Sequence, residues 1–149
     1  MTAMLDIFDA PVVSGLSKRS DIISEAEETE LIARIDGAGL RPFRFQQWTG
    51  KRLTRSYGWN YDFETGRFAK ADPIPAWLDT LKSRAAGFAG LASDDLSQAL
   101  LIRYDPGAGI GWHKDRPVFE HVVGISLGSA GGLRLRRRKA SGFKRASID

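Results

Sequence analysis

An α+β protein is predicted, with helices packed on an antiparallel β-sheet or sandwich. Two observations carry that prediction. Two amphipathic stretches bracketed by helix signals lie in the front of the chain, SEAEETELIARIDG (residues 24–37) and ADPIPAWLDTLKSRAAGFAG (residues 71–90). Beyond residue 97 the pattern changes to short apolar or alternating runs divided by glycine-rich turns, and helices followed by strands, without regular βαβ alternation, define this class. With 149 residues, 42% hydrophobic and 27% charged, the chain suits one soluble domain over residues 1–149.

The first helix starts at Ser24, a good N-cap, with Glu27 three residues later as its capping-box partner. Acids fill the first turn, where they complement the helix dipole. Leu31, Ile32 and Ile35 give an apolar stripe, and Gly37 is a C-terminal stop. Residues 41–63 mix strand and turn character, with turns expected at Gly50-Lys51 and at Gly58. The second helix is entered through Pro73 and Pro75. Trp77, Leu78, Leu81, Ala85 and Phe88 fall on its inner face.

Strands are then expected at residues 98–104 (QALLIRY), before a turn at Asp105-Pro106-Gly107, and at residues 121–128 (HVVGISLG). In GLRLRRRK, Leu133 and Leu135 alternate with Arg134 and Arg136, as in a half-exposed strand. Ala140-Ser141-Gly142 can turn that strand back into FKRASID. The chain stops at Ser147-Ile148-Asp149, within this last expected strand. An edge left in that state is a liability for a finished sheet.

There is no cysteine, which excludes disulfides, zinc–thiolate centres and iron–sulfur sites. No apolar run has the length of a membrane span. The opening MTAMLDIFDAPVVSG carries acids and lacks the basic start of a secretory signal, so no membrane partner and a cytoplasmic location are expected. Charge is unevenly spread. Residues 1–40 hold eight acids and three bases, and residues 41–149 hold ten acids and nineteen bases. Two stretches concentrate the cations. RPFRFQQWTGKRLTR (residues 41–55) has five bases, three aromatics and no acid, and residues 132–149 have seven bases against Asp149. Cations that neutralise phosphates, interleaved with rings that stack on bases, can bind nucleic acid. A solvated strand face has the same look.

The segment GIGWHKD (residues 109–115) carries the chemistry. Side chains two apart on extended backbone point the same way, so His113 and Asp115 can aim an imidazole and a carboxylate at one ion. They are two corners of the 2-His-1-carboxylate facial triad of non-heme iron. Three other patterns do not hold up. Gly107, Gly109 and Gly111 are followed by Pro117 in place of the helix that a dinucleotide-binding turn requires. Ser126 lacks the glycines of a nucleophile elbow. Asp94-Asp95 reads as a turn or helix-cap pair, not a glycosidase dyad.

The surroundings of His113 and Asp115 are informative. They comprise a strand ending in Tyr104, a Pro106-Gly107 turn, H-x-D, and then Ser126-Leu127-Gly128. An earlier block, GKRLTRSYGWNYDF, holds Arg52-Leu53-Thr54, Tyr57-Gly58 and Tyr61. In this order the two blocks resemble the AlkB-like family of Fe(II)/2-oxoglutarate-dependent dioxygenases, over residues 43–132. The resemblance implies a double-stranded β-helix (jelly-roll or cupin-like) core with the N-terminal helices packed on it. His113 and Asp115 would hold Fe(II), and Tyr104 would hydrogen-bond the cosubstrate 2-oxoglutarate. Arg52, Tyr57 and Tyr61 would belong to the lid that receives the substrate. The implied reaction oxidises a carbon of the substrate, commonly an N-linked alkyl group that leaves as an aldehyde, and converts 2-oxoglutarate to succinate. Alkylated DNA or RNA is the implied partner.

Some parts of the family pattern have no match before Asp149. The distal histidine is one; His121 is the only other histidine, and it reads as a structural residue opening a strand. The late arginines that pair with 2-oxoglutarate are another. A C-terminally truncated member, with its closing strands missing, is therefore expected, binding iron weakly and turning over poorly by itself. Ile102 stands where nucleic-acid members often carry asparagine, and Arg116-Pro117 where repair members often place acids. Those two differences leave the substrate open. Alternatives are a catalytically impaired nucleic-acid-binding module of the same fold, or an oxygenase acting on protein or a small molecule.

Overall fold

The structure is a computed structural model that describes residues 15–45, 48–62, 65–115 and 119–148. In chain order its elements are α1 (Glu25–Asp36), β1 (Arg41–Phe45), β2 (Trp48–Tyr57), β3 (Trp59–Asp62), β4 (Arg67–Lys70), α2 (Asp79–Ala89), β5 (Ala99–Arg103), β6 (Leu133–Lys139) and β7 (Gly142–Ile148). This is a mixture of helix and antiparallel sheet, as expected, although four strands precede α2. The chain divides into two compact units, Thr29–Ile125 and Met1–Glu28 with Ser126–Asp149.

The capping box at α1 forms as the sequence requires. The Glu27 backbone N–H donates to Ser24 Oγ at 3.1 Å, and the Ser24 N–H donates to Glu27 Oε1 at 3.1 Å. Two of the donors that a helix start leaves unsatisfied are thereby paired. At the other end the Gly37 N–H reaches the Ala33 carbonyl at 3.1 Å. Replacing Ser24 with alanine is expected to cost about 1 kcal/mol. That is a fall of about 3 °C in a thermal melt, and an unchanged melt would show that the box contributes nothing.

In the unit Thr29–Ile125, β1, β2 and β5 form an antiparallel sheet in the order β1-β2-β5. Pro42 lies in the outer strand β1, where a residue with no N–H is tolerated. The register of β1 against β2 shifts between Pro42 and Arg44, a bulge. Gly50-Lys51, expected as a turn, instead lies inside β2 beside that bulge, and a Cβ on Gly50 would stand 3.5 Å from the Phe43 carbonyl oxygen. That is an ordinary contact distance, and this residue lies in the bulged stretch of the strand without a reversal. The pairing of β1 with β2 runs as far as Phe45 with Trp48.

The β2–β5 register sets Arg55 against Leu101 and Tyr57 against Ala99. By the two-residue period, Tyr57 and Leu101 therefore share one face of the sheet. These two, with Leu31 of α1 and Leu78, Ala85 and Ala86 around α2, are the buried apolar residues among those described. Arg55 ties two loops to this core. Its guanidinium donates to the Ala38 carbonyl oxygen, pairs with Asp72 at 2.9 Å, and lies 4.7 Å from the centre of the Tyr57 ring. Helix α2 follows Pro75 and a short 3₁₀ turn at Ala76–Leu78, and it ends at Gly90 with φ +70°. The Leu91 N–H then donates to the Ala86 carbonyl at 2.8 Å, as in a Schellman cap. Asp95 Oδ2 accepts from the Ala92 N–H at 3.0 Å, so the Asp94-Asp95 pair belongs to a turn.

Two strand expectations need correction. Residues 98–104 shorten to β5, which leaves Tyr104 just past its end. Residues 121–128 form no strand. Their alternation survives in burial, with Val123, Ile125 and Leu127 half-buried and Val122, Gly124 and Ser126 exposed. Among the described residues no strand pairs with them. Periodicity selects the face that turns inward, but a strand also needs a neighbour for its N–H and C=O groups.

In the other unit, β6 and β7 form the expected hairpin, paired from Leu133↔Ile148 to Lys139↔Gly142. Gly142 has φ +108°, a conformation open to glycine.

Candidate active site

His113 and Asp115 lie on an irregular segment, residues 108–115, and not at the end of a strand. The segment follows the Asp105-Pro106-Gly107 turn, closed by the Ala108 N–H on the Asp105 carbonyl at 2.8 Å with Gly107 at φ +83°. The two side chains face each other. His113 Nε2 is 3.4 Å from Asp115 Oδ1, and both are more than half exposed. His113 Nδ1 lies 3.0 Å from the Gly111 carbonyl oxygen. A carbonyl only accepts, so Nδ1 carries the hydrogen and Nε2 is the nitrogen turned to the carboxylate. The gap between Nε2 and that carboxylate oxygen needs a proton or a metal ion to join the two.

A metal ion meets that need. Donors about 2.1 Å from one ion at adjacent positions stand about 3 Å apart, close to the separation found here. A second nitrogen anchored on a backbone carbonyl is also the usual way a ligating histidine is oriented. These residues therefore fit Fe(II). Among the described residues no group of three or more His, Cys, Asp or Glu side chains gathers around an ion site. His121 is exposed in the irregular segment that follows, so the strand it was expected to open is absent.

Tyr104 is 47% exposed at the end of β5. Its neighbours clamp the backbone around it. Arg103 Nε and Nη2 donate to the two Asp105 carboxylate oxygens at 2.9 and 3.1 Å, and Arg103 Nη1 reaches Asp36 at 3.4 Å. The hydrogen bonds and charge of Asp105, with Asp36 behind them, hold the Arg103 guanidinium above its ordinary pKa. The result is a bidentate fork on either side of Tyr104.

Arg52 lies in β2 with its guanidinium 4.1 Å from the centre of the Phe43 ring. Its Nε is buried without a hydrogen-bond partner among the described residues, a costly state for a charged donor that no anion meets. Tyr57, expected in the lid, is 6% exposed and packs into the core beneath Arg55. Tyr61 is on β3, paired with Phe68 of β4. Their rings meet edge-on at 4.9 Å, and Phe68 meets Phe119 at 5.7 Å. The β3–β4 hairpin thereby reaches Phe119. Phe68 and Phe119 were not singled out in the sequence, because a contact between residues fifty apart leaves no local signal.

The chain matches the family described as the 2OG-Fe(II) oxygenase superfamily over residues 19–147. It belongs to that superfamily, and its sequence places it with the AlkB-like members. It is 30% identical over 110 residues to a "Probable RNA/DNA demethylase ALKBH6" of Danio rerio, covering 73% of this chain and 44% of that protein. It is 27% identical over 149 residues to an "Alkylated DNA repair protein ALKBH8 homolog" of Arabidopsis thaliana, covering 92% of this chain and 40% of that protein. The chain thus spans less than half the length of these curated relatives. No solved structure matches it. Among the described residues no helix is long and apolar enough to cross a membrane.

Proposed function

We propose that this chain belongs to the catalytic domain of an Fe(II)- and 2-oxoglutarate-dependent dioxygenase that removes alkyl groups from nucleic-acid bases. The reading takes residues 1–149 as part of one jelly-roll domain, supported by a family match that runs through both units. The observation that carries it is the His113–Asp115 pair, two donors 3.4 Å apart with the imidazole tautomer set by Gly111. Substrate class rests on the printed names of the two relatives, a demethylase and a repair protein.

Iron bound there, with 2-oxoglutarate and oxygen, supplies the oxidation of an N-linked alkyl carbon. The chain's own residues orient the reactants. His113 Nε2 and Asp115 Oδ1 would hold the iron. Gly111 holds the ring. Tyr104 offers its hydroxyl to 2-oxoglutarate from a backbone held on both sides by Arg103 and Asp105. Arg52 and Tyr61 meet the substrate, one with a charge for a phosphate and the other with a ring for a base, while Tyr57 supports the strand between them from the core.

The test presents methylated single- and double-stranded oligonucleotides and methylated peptides to the protein with Fe(II) and 2-oxoglutarate. Aldehyde release is the readout. Release from oligonucleotides, dependent on 2-oxoglutarate, is expected. Release from peptides alone would overturn the substrate class and leave the oxygenase.

A further inference from the structure

The β6–β7 hairpin has two chemically different faces. Its register places Arg134 opposite Ser147, Arg136 opposite Arg145 and Arg138 opposite Phe143, all on one face by the two-residue period. The other face begins apolar, with Leu133, Leu135, Ala146 and Ile148, and ends in Arg137, Lys139 and Lys144 at the tip. Every cation of the first face is arginine, and both lysines are on the second.

On the first face the guanidiniums gather at one ring. Arg136, Arg138 and Arg145 lie 4.8, 5.9 and 6.0 Å from the centre of Phe143. Phe143 is 40% exposed, and all four arginines are exposed. Arg136 directly opposite Arg145 is a like-charge pair, which destabilises a ladder. Residues 133–148 include no Asp or Glu. A polyanion would neutralise this cluster of guanidiniums.

We infer that the Arg134, Arg136, Arg138, Arg145 and Phe143 face of this hairpin binds single-stranded nucleic acid. Successive arginines on one strand face repeat about every 6.8 Å, comparable to neighbouring phosphates along an extended polynucleotide. Arginine, rather than lysine, meets phosphate with a planar fork and also stacks on rings. The exposed phenylalanine among those forks is what a lipid headgroup would not need and an unpaired base would, since bases offer their faces only outside the duplex. The inference extends the nucleic-acid reading above to a second surface. Its test reads binding in buffer with metal chelated, so that its failure and the failure of the iron site are distinguishable.

Fluorescence anisotropy of labelled single-stranded DNA and RNA against the full chain gives affinity and its salt dependence. The triple variant Arg136→Gln, Arg138→Gln, Arg145→Gln is expected to bind about tenfold or more weakly, with a salt slope smaller by about 2. It should melt no lower than the parent, because a like-charge pair has been relieved. The opposite-face triple Arg137→Gln, Lys139→Gln, Lys144→Gln removes equal charge and is expected to lose much less. The milder Phe143→Leu keeps all charge and should lose about tenfold on single strands but little on duplex. Equal losses from the two triples would overturn the inference. So would duplex binding as tight as single-strand binding, tighter binding to phosphatidylserine vesicles, or no effect of Phe143→Leu.

Discussion

Replacing either His113 or Asp115 with alanine is expected to lower 2-oxoglutarate-dependent succinate release by at least about a hundredfold. Changes one shell further out, at partners of ligating groups, already cost metal sites about 10- to 100-fold, and loss of a ligand exceeds that. The fold should not notice. Both side chains are more than half exposed on an irregular segment, and such substitutions stay within about 0.5 kcal/mol. A melt unchanged to about 2 °C, together with absent turnover, separates ligation from structural support. Turnover that survives both substitutions would show that the ion is held elsewhere.

Gly58→Ala is expected to be the most damaging single change away from the site. Gly58 joins β2 to β3 at φ +80°, where an alanine is strained, and a Cβ there would run into the Ser97 carbonyl oxygen. The same residue donates to the Asp72 carbonyl at 2.7 Å and accepts from the Ala71 N–H at 3.1 Å, so it cannot move away freely. Backbone strain of this kind costs about 1–3 kcal/mol, and the collision brings the total to about 3 kcal/mol. A thermal melt should fall by about 9 °C. Because this corner joins β2 to β3, which carries Tyr61, the variant should also raise KM for substrate. A shift under about 2 °C would mean that the corner is looser than the structure has it.

What was legible in the sequence is what depends on near neighbours. Ser24 and Glu27 are three residues apart, and their reciprocal hydrogen bonds need nothing from the rest of the chain. The β6–β7 hairpin and the turn at Asp105 also formed where alternation and turn residues placed them. Partners distant in the chain were not legible. Gly50-Lys51 has the look of a turn, and only the pairing of β2 with β1 shows it inside a bulged strand. Residues 121–128 had the alternation of a strand and no described neighbour to pair with. Tyr57 resembled a lid residue by its motif, yet its burial follows from the β2–β5 register. At the site, residue types and spacing indicated His113 and Asp115. The Gly111 contact that sets the imidazole tautomer, and the ring chain from Tyr61 through Phe68 to Phe119, came only with the fold.

The most direct measurement is an anaerobic titration of the full chain with Fe(II) and 2-oxoglutarate, followed by the visible charge-transfer absorption of the iron-bound keto acid. The band is expected to require both components, to saturate in each, and to vanish in His113→Ala and in Asp115→Ala. A band of undiminished strength in both variants would contradict the assignment of this pair as the iron ligands.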